Sequence, residues 1–337
     1  MKLDAFCHVM PRAYADALAK LTDTPAAANI RNRIEGIPSL VDLDLRFRQM
    51  DEFGEDYRQI VSLPAPPPED LGDPATSRDM ATLANDELAK LVEAHPDRLA
   101  GWVAAMPMND PDAAVAEAER AVGLGALGVQ IYTNVNGHPL DEERFEPFWA
   151  KLAELDRTIW VHPSRSAAWP DYPTEERSRF EIWWTFGWPY ETSVFMSRIV
   201  FSGVLERYPN LKILTHHAGA MVPFFAGRVG PGWDQLGART PPDRREEIEG
   251  PELSKRPIDY FRMFYADTAA FGEAAALRCA LEFFGVERML FASDSPFDPE
   301  KGPGYIRATI ENIESLGLSD DDKQRLYEGN ARAVLGV

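Results

Sequence analysis

Residues 212–217 read KILTHH, a short run built on isoleucine, leucine and threonine that ends on a pair of histidines. Three other stretches have the same form: LDAFCH at 3–8, TIWVH at 158–162 and MLFASD at 289–294. Each is too short for an ordinary helix and rich in β-branched or aromatic residues, so each reads as a buried strand with a chemically active residue at its C-terminal end. Working outward from these, eight strand windows emerge, at residues 3–7, 58–63, 99–104, 126–131, 158–161, 212–215, 262–266 and 289–292. Segments such as 111–122, 145–155 and 274–284 lie between them and carry apolar residues three or four apart, the spacing of an amphipathic helix. Strands alternating with helices make parallel βαβ units. Eight such units over 337 residues predict one closed (β/α)8 TIM barrel spanning 1–337. A glycine-rich phosphate loop after the first strand, which would favour an open doubly wound sheet, is missing.

In such a barrel the strand C-termini share one face, and that face carries the active site. The chain has six histidines, and His8, His162 and the pair His216/His217 all fall at strand ends, as does Asp294. A single histidine after a strand is more often a hydrogen-bonded loop residue than a ligand, but four coincident strand ends point to a shared metal or acid–base site. Imidazole and carboxylate are donors for zinc, manganese or iron, and three protein ligands leave positions for water and substrate. His95 in EAHPDRL and His138 in NGHP lie off strand ends and read as structural or exposed. No GxSxG elbow supports a nucleophilic serine. Cys7, inside a strand, reads as an inert core thiol.

Composition narrows the function further. A formal charge of −19 argues against nucleic acid, which needs a basic face. No stretch approaches the roughly 18 apolar residues of a membrane span. Two cysteines cannot build a disulfide framework, and the opening MKLDAFCHVMPRAY lacks the apolar run of a signal peptide, so a cytoplasmic location is expected. Residues 12–57 hold a helical stretch and a proline-containing connection. Residues 164–195 form a long Trp-, Tyr- and Pro-rich excursion after the fifth strand. Loops of that length are usually functional, and one this apolar also suits a homodimer contact.

The phrases DAFCHVMP, RFRQMDEFG, HPDRLAGWVAAMP, GALGVQIYTNVNG, VHP, FSGVLERYPNLKILTHHAGAMVPFFAGR and LFASDSPFD run in order from residue 4 to 298. Together they resemble the decarboxylase-type branch of the amidohydrolase superfamily, that of aminocarboxymuconate-semialdehyde decarboxylase and γ-resorcylate decarboxylase. The resemblance implies a single-metal barrel with His8, His162 and Asp294 as ligands. It implies that His217 is the acid–base residue, by its spacing to Pro223, with His216 facing the other way on an extended strand. Arg46, with Arg48 as a rival, matches an arginine that faces substrate carboxylate. Phe6 occupies the place of the family's first ligand, and a phenyl ring cannot ligate.

The function this resemblance implies is metal-dependent, non-oxidative decarboxylation of an aromatic or unsaturated carboxylic acid. Zinc is the metal expected, with manganese or iron as alternatives, and His217, Asp294 and Arg46 are the catalytic candidates. The same parts serve hydrolysis of an ester, amide or lactone through a metal-activated water. A catalytically silent or partner-dependent subunit is the reading that Phe6 opens.

Overall fold

A computed structural model describes residues 1–21, 32 and 34–337. Among them, eight strands form one parallel sheet in sequential order: β1 (Lys2–His8), β2 (Tyr57–Ser62), β3 (Leu99–Ala105), β4 (Gly128–Tyr132), β5 (Thr158–His162), β6 (Lys212–Thr215), β7 (Tyr265–Asp267) and β8 (Met289–Leu290). The ring closes where Ala5 N donates to Phe291 O at 2.8 Å, Asp294 N to Phe6 O at 3.2 Å and His8 N to Ser295 O at 2.8 Å. The expected TIM barrel is therefore the observed fold. Part of the proline-containing connection expected within 12–57 lies outside the described residues.

The helices start where the sequence places caps. Pro74–Ala94 follows Asp73, whose carboxylate accepts from Thr76 N, and Pro111–Gly123 follows Asp110, which accepts from Ala113 N. Each has proline in its first turn, where the missing N–H costs nothing. Two apolar layers result. Leu3, Ala5, Phe6, Ile60, Val103, Trp160, Leu214 and Leu290 fill the barrel interior, while a larger core lies between strands and helices. Trp160 plugs the interior and donates its Nε1–H to Ala5 O at 2.9 Å.

Three local departures from sequence expectation bear on the site. The register of β1 against β2 shifts between Asp4 and Cys7, so one extra residue is accommodated. That bulge turns Phe6 and His8 inward and sends Cys7 to the outer layer. The seventh strand lies later than the 262–266 window: a helix runs from Pro257 to Phe261, and β7 spans Tyr265–Asp267. Residues 164–195 are not all loop, because Ile182–Thr185 and Gly187–Phe201 are helical. No helix among the described residues is long and apolar enough to cross a membrane.

Candidate metal centre

His8 ends β1 and is fully buried. Its Nδ1 lies 3.1 Å from Leu63 O and 3.2 Å from Ser62 Oγ, and its Nε2 lies 3.2 Å from Asp294 Oδ1 without a well-aligned hydrogen bond. His162 ends β5 with Nδ1 2.7 Å from Pro163 O. In both rings a backbone carbonyl next to Nδ1 fixes the proton there and leaves Nε2 as the free lone pair, the tautomer a metal requires. A buried imidazole nitrogen with no aligned partner fits a cation site.

The sixth strand behaves differently from the alternation rule. β6 ends at Thr215, and His217 takes a left-handed backbone with φ 59°. Successive side chains therefore need not oppose each other, and both histidines reach the cluster. His216 does not pack behind: it is fully buried in the centre, with its Nδ1 hydrogen-bonded to Asp267 and its Nε2 3.2 Å from Asp294 Oδ1. Its ring stacks between Phe6 at 3.8 Å and His217 at 3.9 Å. His217 lies nearer the surface, with Nε2 3.6 Å from Asp294 Oδ2.

Electrostatics follow from this packing. Burial alone would raise the Asp294 carboxyl, but the His216 charge and hydrogen bond, with the His217 and His8 imidazoles close by, hold it well below the carboxylate range. Burial opposes charge on His216, yet Asp267 and Asp294 outweigh it and raise its pKa to about 9. Burial, and then the neighbouring imidazoles, lower both His162 and His217.

His162, His217 and Asp294 form the floor of a cavity of about 480 Å³. Among the described residues its walls are Trp183, Trp184, Trp188, Phe271, Phe297 and Tyr305, with Glu181 at one side and no lysine or arginine. Trp188 lies nearly parallel to the His217 ring at 6.4 Å, and Phe271 lies 5.1 Å from it. The insertion after β5 thus supplies three of the aromatic walls.

Arg46, expected to face a substrate carboxylate, lines no part of this cavity. It is buried behind β1, donating from Nε to Gln59 Oε1 and from Nη1 to His8 O, both at 2.8 Å. The helix Leu43–Met50 turns Arg46 inward and leaves Arg48 exposed. The residue missed from the sequence is Asp267. It ends β7 as Asp294 follows β8, one residue beyond the apolar run that marks the strand in the sequence.

A parallel barrel that gathers imidazoles and a carboxylate at its strand C-termini defines the class of metal-dependent barrel enzymes. The chain belongs to the amidohydrolase family, whose model matches residues 4–337. It is 31% identical to gamma-resorcylate decarboxylase of Polaromonas sp. (strain JS666) over 87% of each chain. It is 25% identical to 2-amino-3-carboxymuconate-6-semialdehyde decarboxylase of Dictyostelium discoideum, covering 100% of this chain and 92% of that one. Among solved structures, it superposes with a TM-score of 0.77 and 28% identity on dihydroxybenzoic acid decarboxylase from Polaromonas sp. JS666, which holds manganese and the inhibitor 2-nitroresorcinol, covering 99% and 96% of the two chains.

Proposed function

We propose that this chain is a metal-dependent, non-oxidative decarboxylase of an aromatic carboxylic acid, with His8, His162 and Asp294 as metal ligands and His217 as the proton donor. One observation carries the reading: His217 stands on the floor of a flat-walled aromatic cavity, against the histidine–aspartate cluster. The three relatives described above are all decarboxylases.

A divalent cation at the cluster would supply positive charge to the substrate's oxygens. The remaining work falls to side chains of this chain. Trp188 and Phe271 flank His217 and offer aromatic faces to a planar ring. Because burial and His216 lower the pKa of His217, a proton it acquires is readily released. That proton passes to the ring carbon bearing the carboxylate. The carbon–carbon bond then breaks, its electron pair returns to the ring, and CO₂ leaves. Asp294, 3.6 Å from Nε2, stabilises the imidazolium before transfer.

Zinc was the metal expected from the donor types, but the Polaromonas structure holds manganese, so manganese is the first metal to test. The reading extends to a cytoplasmic homodimer. Phe180 and Phe186 of the insertion are 82% and 71% exposed, and Phe224 after β6 is 78% exposed, an unusual amount of bare aromatic surface. The test is a screen of hydroxybenzoates for CO₂ release by the manganese-loaded and the chelated protein. Release that is lost on chelation and restored by metal supports the proposal. Hydrolysis of esters or lactones with no CO₂ from any carboxylate would overturn it.

A further inference from the structure

Phe6 cannot ligate, so the family's donor set is one residue short on β1. The geometry points to His216 as the replacement: we propose that the metal is held by His8, His162, His216 and Asp294, with Asp267 as the carboxylate that orients His216. This rests on the metal-dependent reading above and names a ligand that neither the sequence nor the relatives assign.

Three observations converge. First, ligand atoms of His8, His162 and His216 all lie within 4.8 Å of one another, little more than two metal–nitrogen bonds of about 2.1 Å. Second, His8 Nε2 and His216 Nε2 both stand 3.2 Å from the same oxygen, Asp294 Oδ1, which sets the carboxylate beside two of the three imidazoles. Third, all three rings have Nδ1 engaged, by Leu63 O, by Pro163 O and by Asp267, which turns Nε2 of each towards the centre. A carboxylate behind a ligating histidine holds its orientation and raises its basicity. Asp267 is itself fixed, with Oδ1 accepting from Ala218 N and Ala269 N at 3.0 Å each.

Phe6 completes the arrangement. The bulge in β1 brings its ring into the barrel interior, where it stacks on His216 at 3.8 Å and an interplanar angle of 22°. It lies against the imidazole as a support. His217 faces the other carboxylate oxygen and the cavity, which leaves it available for proton transfer.

The test measures manganese affinity by calorimetry on the whole chain and counts imidazole ligands by X-ray absorption on the loaded wild type. Three imidazoles are expected. His216→Asn should weaken manganese binding by about 100-fold or more, and Asp267→Asn by roughly 10–100-fold, the range for losing the group behind a ligand. His217→Asn should leave affinity within about 3-fold while turnover falls. Adding Phe6→His to His216→Asn should restore binding, which separates a lost ligand from a lost fold. Two imidazoles in the absorption spectrum, or wild-type affinity in His216→Asn, would overturn the assignment. A wild type that binds no divalent metal would instead overturn the underlying metal-dependent reading.

Discussion

Replacing Arg46 by methionine separates the role its sequence context implies from the one its position implies. Methionine keeps the length and apolar bulk of the side chain but leaves Gln59 Oε1 and His8 O without their donor. Each buried acceptor left unpaired costs about 1–3 kcal/mol, so the two together cost roughly 2–6 kcal/mol. Part of this is offset, because the guanidinium is fully buried and its removal relieves an unfavourable desolvation. A net loss of about 3 kcal/mol is the expectation. For 337 residues the unfolding entropy is about 0.7 kcal/mol/K, so Tm should fall by roughly 4 °C. The assay is a reversible melt paired with steady-state kinetics on the decarboxylated substrate. Stability should drop while KM changes little, since the guanidinium lies behind β1 and outside the cavity. An unchanged melt with a KM raised ten-fold or more would refute the reasoning and return Arg46 to the substrate.

Further outcomes follow from the same geometry. His217→Asn should lower kcat by about 10²–10⁴ with metal content unchanged, checked by turnover and elemental analysis. Burial raises the Glu69 carboxyl to about 8, so the folded state holds its proton more tightly than the unfolded chain. That contribution to stability is complete below the ordinary value of 4.5 and is lost as pH rises through 8. Glu69→Gln should therefore flatten the fall in Tm across that window, and equal slopes in melts from pH 4.5 to 9 would count against it. Light scattering at micromolar concentration should report a dimer, and Phe180→Asp with Phe186→Asp should shift it to monomer.

Much of this architecture was legible in the residues because a barrel strand buried on both faces leaves a short apolar run that helices do not imitate. KILTHH, TIWVH and MLFASD located three strands and the face on which they end. Three features were less accessible. The bulge in β1 has no glycine or proline to announce it, yet it decides that Phe6 faces the interior. The positive φ of His217 is unusual for that residue, so strict alternation wrongly sent His216 away from the centre. Asp267 was hidden by a strand boundary, the least certain part of any periodic reading. Arg46 was legible after all: Leu43, Arg46 and Met50 share one helical face, which argues for burial beside the apolar pair.

The central claim is metal-dependent loss of CO₂ from an aromatic acid, and one measurement meets it directly. The protein is stripped with a chelator, divided, and half is reloaded with manganese. Both halves are then mixed with gamma-resorcylate and a panel of other hydroxybenzoates in D₂O, and the products are read by mass spectrometry and NMR. The account predicts one CO₂ per ring and one deuteron at the vacated carbon in the reloaded half only, with the exchange greatly slowed in His217→Asn. Stoichiometric metal with no CO₂ from any member of the panel, or equal release in the stripped half, would contradict it.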